Sequence, residues 1–266
     1  MKKTWLTAIA LGLATASHAT LIDDFDALNL GSINQLSTST PNPSSGWFGT
    51  AELTTTGAGV VISDPIAGSD QVLQITSANS TGTSAGRGVY KALGANTIFD
   101  GQSGTLSFEL AAASTTSTVR NYFGIGNAVN NPANGNFNQF EASVFFQTGK
   151  IYAMDASSGS KLNIEIGGYA ANTWYSFDLV MDAATDTYDV YMNSVLVGDN
   201  FGFRNGTQSL DLDKITFWSS GVGTPNNTAG YLDNISLVTV VPEPTVTALI
   251  SVLGGGLLFI RRRLSR

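Results

Sequence analysis

Any chemistry in this chain has to rest on oxygen. The 266 residues contain no Cys and a single His, His18, which removes thiolate nucleophiles and the usual Cys/His zinc sites and leaves almost no imidazole. The acidic residues whose placement could do chemistry are Asp23, Asp24 and Asp26 near one end and Asp233 near the other. By strand parity Asp23 falls with Leu21 and Phe25, and Asp233 with Ile235 and Leu237, which aims both at a core. A carboxylate so aimed is costly unless it is paired or metal-bound. With the first and last strands side by side, the four aspartates would converge on calcium, a hard cation that takes oxygen ligands. The competing reading, which turn chemistry favours, is that they are exposed strand-end aspartates.

Three aromatics offer a second kind of site. Trp174 shares parity with Ser176 and Asp178, Tyr191 with Asp189 and Asn193, and Trp218 with Thr216 and Ser220. Flat rings beside hydroxyls and amides suit sugars, which offer C–H patches and hydroxyls together; packing beneath loops is the alternative for each. Hydrolysis without His or Cys would need two carboxyls about 5–5.5 or 6.5–9.5 Å apart. Between the chain ends Glu52, Glu109, Glu141 and Glu165 are each isolated in sequence, so no catalytic residue is assigned and a non-enzyme is expected. Gly124-Ile125-Gly126 lacks the helix and basic residue of a phosphate loop.

The elements that would position these residues are strands. Charged residues are only 12% of the chain and Gly numbers 29, against a usual charged fraction of about 25%. Thr105–Leu110, Thr187–Asn193, Lys214–Phe217 and Tyr231–Leu237 alternate with period two, the mark of half-buried strands. Further strands are expected at Gln71–Ser77, Arg87–Lys91, Val119–Gly126, Gln139–Gln147, Lys150–Asp155 and Trp174–Met181. Asp182–Asp186 reads as a hairpin loop, and Ser37–Ser45, Ser77–Gly86 and Asn127–Asn138 as polar loops. With no helical periodicity and no internal repeat, residues 20–240 read as one all-β domain, a jelly-roll-type β-sandwich.

The ends read as addresses. Lys2 and Lys3, the apolar run Trp5–Ala16 and Ser17-His18-Ala19 form a signal peptide over 1–19, cut by signal peptidase after Ala19 or, alternatively, after Ala16. At the other end Val241-Pro242-Glu243-Pro244 precedes an uncharged run, Thr245–Ile260, and then Arg261, Arg262, Arg263 and Arg266. The run is short of the ~20 residues that span a bilayer comfortably, and the arginines would hold the tail on the cytoplasmic side. Residues 241–266 resemble the PEP-CTERM sorting signal of bacterial surface proteins. That resemblance implies a single transmembrane sorting helix at 245–260, recognition by an exosortase, removal near the Pro-Glu-Pro box and an exopolysaccharide-producing envelope. The processed body would carry seven basic and 19 acidic residues, a net charge near −12, which disfavours nucleic acid as a partner.

The body also resembles concanavalin-A-like and laminin-G-like sandwich domains. The resemblance lies in Asp24-Phe25-Asp26 with Gly31 and Trp47, in Trp174-Tyr175-Ser176-Phe177-Asp178-Leu179 with Asp186-Thr187-Tyr188-Asp189-Val190-Tyr191, and in Tyr231-Leu232-Asp233-Asn234-Ile235. It implies the sandwich fold and, in many members, a structural calcium near the sandwich edge. Glucanases of that fold usually carry a strand with alternating Glu, Asp and Glu, which this chain lacks. The expectation is therefore an exported, non-catalytic envelope or matrix protein binding exopolysaccharide. The alternatives are a carbohydrate-active enzyme, glycosidase or lyase, of the same fold and a ligand-free surface protein.

Overall fold

The computed structural model describes residues 17–28, 31–32, 46–49, 59–68, 70–76, 86–116, 118–127, 140–206, 211–220 and 229–240. Its strands are β1 (Ser17–Asp23), β2 (Gly31–Ser32), β3 (Trp47–Gly49), β4 (Gly59–Ser63), β5 (Gln71–Thr76), β6 (Gly86–Ala92), β7 (Ser103–Ala112) and β8 (Arg120–Gly126). They continue as β9 (Phe140–Gln147), β10 (Lys150–Asp155), β11 (Leu162–Gly168), β12 (Tyr175–Asp182), β13 (Thr187–Met192), β14 (Val195–Gly202), β15 (Lys214–Ser220) and β16 (Ala229–Val240), with one 3-10 turn at Gly94–Asn96. Two antiparallel sheets stack as a sandwich. One has nine strands in the order β14-β13-β12-β7-β16-β5-β4-β2, with β1 paired to β16; the other has seven, in the order β11-β10-β9-β8-β15-β6-β3.

Alternation explains the stacking. Leu106, Phe108 and Leu110 of β7 and Phe177, Leu179 and Met181 of β12 enter the core, while Ser107 and Asp178 face outward and hydrogen-bond each other at 2.6 Å. Phe177 lies opposite Phe108, and Leu179 opposite Leu106. Phe123, Ile125, Val144, Phe146, Ile215 and Phe217 of the other sheet fill the same core. Phe108 meets Phe123 across the sandwich, edge to face, at 4.5 Å. Each such side chain removes enough apolar surface from water to contribute about 1.5–3 kcal/mol.

Tight turns set the register. Thr148-Gly149 joins β9 to β10 and Asn193-Ser194 joins β13 to β14, all four residues with positive φ, as two-residue hairpin turns matched to strand twist require. The expected β12–β13 hairpin is present, with Asp182 opposite Thr187. β11 and β14, one at the edge of each sheet, are strands the periodicity did not announce; β14 carries Gly198, Asp199 and Asn200 within its run.

Parity fails at two places. In β16, Asn234 adopts φ 51° and inserts an extra residue, so Leu232 and Ile235 both enter the core; Asp233 therefore does not share the facing of Ile235 and Leu237. In β1 it is Ile22 that packs on the core, while Leu21 is 60% exposed. Of the expected signal peptide, Ser17, His18 and Ala19 lie in β1; residues 1–16 and the expected sorting tail, 241–266, lie outside the described residues. Among the described residues no helix is long and apolar enough to cross a membrane.

Candidate functional site

The outer face of the seven-stranded sheet carries a row of aromatic side chains perpendicular to its strands. Tyr152 of β10 pairs with Phe145 of β9, Phe145 with Tyr122 of β8, and Tyr122 with Trp218 of β15. Consecutive ring centroids are 5.0, 4.4 and 5.5 Å apart. The row forms because each of these strands places its other parity in the sandwich core, leaving these positions to one another. Phe145 and Tyr122 are fully buried, Trp218 is 8% exposed and Tyr152 is partly exposed. Burial raises the Tyr122 phenol above its ordinary value, against the stabilising hydrogen bond from Arg120.

Polar groups frame the row. Next to it lie Lys150, Gln147 and Arg120, cross-strand neighbours on β10, β9 and β8. Arg120 donates from Nε to Gln147 Oε1 at 2.9 Å and from a terminal nitrogen to the Tyr122 hydroxyl at 3.1 Å, and its guanidinium lies 5.6 Å from the centre of the Phe145 ring. Lys150 pairs with Glu165 of β11 at 2.5 Å. On the far side Ser143 Oγ is buried without a hydrogen-bond partner, and Lys214 lies over the Tyr90 ring at 4.8 Å. Burial lowers the Lys214 pKa, with Asp213 opposing the shift.

Beside this face a cleft of about 580 Å³ is lined by residues that include Ser157, Lys161, Phe203, Arg204 and Asn205. Asn205 of this lining is held by Glu141 of β9, which accepts from the Asn205 backbone at 2.8 Å and from its Nδ2 at 2.6 Å. Burial raises the Glu141 carboxyl above its usual range, while the Asn205 hydrogen bonds and the Arg204 and Lys161 charges pull it back. Burial lowers the Arg204 pKa, and the Glu141 charge opposes the shift. The two carboxylates of this face, Glu141 and Glu165, sit on β9 and β11 with β10 between them, each engaged by its own partner. Of the aromatic row only Tyr152 is partly exposed, beside Gln147 and Arg120.

The sequence-expected aromatics do not form one surface. Trp218 belongs to this row, but Tyr191 is on β13 of the nine-stranded sheet. Trp174, preceding β12, packs at 6.5 Å from Tyr231 and donates to Asp64 Oδ2 at 3.2 Å. Tyr122, Phe145, Tyr152 and Arg120 were not expected. A signal existed for two of them: Arg120 and Tyr122 share one parity of β8 while Phe123 and Ile125 take the other.

The four aspartates expected to hold calcium are not gathered either. Asp23 is partnered: its Oδ2 accepts from Lys91 Nζ and Trp47 Nε1, both at 2.8 Å, and its Oδ1 from the Phe25 backbone at 3.0 Å. That ion pair already compensates its buried charge. Asp24 accepts from the Asp26 backbone at 3.3 Å. Asp26 lies beside Asp70, whose side chain raises its pKa while the Gln71 backbone N–H lowers it. Asp233, 4% exposed, is pushed up to about 7, chiefly by burial and further by Asp70, Glu109 and Asp26. Among the described residues no three acidic side chains are placed to hold a metal ion, so these residues do not fit a calcium cage.

The fold and site define the chain as a two-sheet β-sandwich protein with an aromatic and cationic outer face. No protein-family model matches the sequence, and no curated protein matches it. Among solved structures, a sialidase aligns over 82% of this chain at 13% identity with a TM-score of 0.53; this chain spans 18% of that sialidase. A family 7 alginate lyase aligns over 69% of this chain and 84% of its own at 11% identity and TM-score 0.49. A carbohydrate esterase of a Shiga toxin-encoding bacteriophage aligns over 80% and 100% at 12% identity and TM-score 0.47. At such identity the sialidase match is a likeness of fold.

Proposed function

We propose that the chain is an exported, non-catalytic protein of the cell envelope or extracellular matrix that binds exopolysaccharide on the outer face of the seven-stranded sheet. The observation that carries this reading is the aromatic row Tyr152–Phe145–Tyr122–Trp218, with Gln147, Arg120 and the cleft beside it. Tyr152, the partly exposed end of the row, lies beside the hydrogen-bonding side chains of Gln147 and Arg120, a pairing that suits the C–H patches and hydroxyls of a sugar chain; Phe145, Tyr122 and Trp218 are buried and pack against it as a small core. Export and sorting rest on the sequence alone: signal peptidase acts at the first end, an exosortase at Pro242-Glu243-Pro244, and the apolar helix anchors the chain in the membrane until it is cut. The finer fold assignment we adopt is a jelly-roll winding of the concanavalin-A-like or laminin-G-like kind.

The test is a screen of the purified chain against a broad glycan panel, followed by assay of reducing ends. Retention of a polysaccharide without sugar release is expected. Tyr152→Ala, at the partly exposed end of the row, should weaken binding about 3- to 10-fold, the value of one aromatic contact, with an unchanged melting temperature. Sugar release abolished by a Glu or Asp substitution would replace this reading with a carbohydrate-active enzyme. No binding across the panel would leave a ligand-free surface protein.

A further inference from the structure

We infer that the polysaccharide held on this face is anionic, and that Arg120 reads its carboxylate. The inference rests on the glycan-binding reading and adds to it the chemical class of the ligand.

The first support is the placement of charge. The body between the two ends has only seven basic residues against 19 acidic ones. None of the nine strands of the larger sheet contains Lys or Arg, and its outer face presents Glu109, Asp178, Asp182 and Asp189. Five of the seven cations sit on this side of the other sheet or in the cleft beside it: Arg120, Lys150 and Lys161 reach solvent, while Lys214 and Arg204 are buried. A domain this acidic repels polyanions at a distance, so a local concentration of positive charge on one face is what an anionic ligand would need. The carboxylates near these cations are Glu141, tied to Asn205, Glu165, tied to Lys150, and Asp213 beside Lys214.

The second support is the state of Arg120. Its side chain is partly exposed and is fixed by two neutral partners, Gln147 and Tyr122, above the Phe145 ring. Arg120 takes part in neither the Lys91–Asp23 nor the Lys150–Glu165 ion pair. A guanidinium has about five N–H donors, and two are committed here. A planar fork held in place with donors to spare binds a carboxylate in bidentate fashion without first giving up side-chain freedom. Tyr152, the partly exposed ring of the row, gives the sugar a surface while the fork takes the acid group, which defines a uronate unit better than a neutral sugar.

The experiment compares polygalacturonate with its methyl ester, the same backbone with and without charge, on the full chain in mild detergent by titration calorimetry. Wild type should bind the acid form at least about tenfold more tightly, with the preference lost at high salt as screening removes it. Arg120→Gln should weaken binding of polygalacturonate roughly 10- to 100-fold, the value of charge-assisted hydrogen bonds, and leave the ester unaffected; Arg120→Lys should recover only part. Equal binding of the two polymers by wild type, or an unchanged affinity in Arg120→Gln, overturns the inference. Should Arg120→Gln fail to fold by circular dichroism, the acid–ester comparison and its salt dependence in wild type decide alone. Binding to neutral polysaccharides with no acid–ester preference sinks the anion assignment and leaves the glycan reading standing. Binding to no polysaccharide at all sinks both.

Discussion

Asp233→Asn should stabilise the protein at neutral pH and do nothing at acid pH. The carboxyl has an ordinary pKa of 3.8 and is raised to about 7 in the fold, first by burial and then by Asp70, Glu109 and Asp26, with the Asn234 backbone N–H opposing. Because the folded-state pKa is the higher one, the folded protein holds a proton that the unfolded chain releases between these values. Stability from this residue is therefore complete below pH 3.8, falls as pH rises toward 7, and stays low above it. At about 1.36 kcal/mol per pKa unit the loss is about 4 kcal/mol at most. The asparagine is neutral throughout and keeps an oxygen for the Asn234 N–H, which now donates to Asp233 Oδ1 at 2.7 Å. Other carboxylates titrate over the same range, so the quantity to follow is the difference between wild type and variant. Urea unfolding in the presence of a chelator, from about pH 4 to pH 8, measures it. The difference should be near zero at the acid end and reach several kcal/mol in favour of the variant at the alkaline end. A difference that stays constant with pH would refute the argument, because it would mean that Asp233 ionises as readily in the fold as in the unfolded chain.

Two further outcomes follow from the same geometry. Asp23→Ala strips Lys91 and the Trp47 indole of a shared acceptor and should cost about 2–4 kcal/mol of unfolding free energy. Millimolar calcium should leave that loss unchanged; a wild-type melting temperature that rises with calcium while Asp23→Ala does not respond would restore Asp23 as a metal ligand. Mass spectrometry of the protein from its native host should find a start at Thr20, or at Ser17 for the alternative cut, and an end near Pro242-Glu243-Pro244. Recovery of Arg266 in the mature form would mean a permanent membrane anchor.

What the sequence disclosed depended on which strands are wet on one side. β7, β12 and β13 alternate because their outer positions meet solvent, and there both the strands and their facing could be read directly. β9 reads Phe-Glu-Ala-Ser-Val-Phe-Phe-Gln and is buried at every position but the last, so its run of apolar residues cannot say which of Phe145 and Phe146 faces the other sheet. The aromatic row was hidden for that reason, and because it exists only through the registers of four strands. Asp23 and Lys91, 68 residues apart, illustrate the same limit: local parity, which fails in β1, cannot supply a distant cation, and calcium is the local alternative it suggests. Asp233 was misplaced by one residue, since an Asn at positive φ is tolerated in a bulge without announcing it.

The distribution of cations makes sense of a feature that composition alone renders puzzling. A chain that keeps seven basic residues against 19 acidic ones could scatter them to relieve repulsion, and each would then sit near several carboxylates. Instead the larger sheet keeps none on its strands, and the few that remain lie over rings, as Arg120 over Phe145 and Lys214 over Tyr90. A cation held against an aromatic face retains its charge while giving up part of its hydration; of these two, Arg120 is partly exposed and Lys214 is buried, so Arg120 is the one an external anion can meet. Under the proposed processing the imbalance sharpens, because the lysines and arginines lost belong to the two ends and none to this face. The processed body would then be acidic overall, and among the described residues an anionic polymer would meet least repulsion beside the partly exposed Arg120.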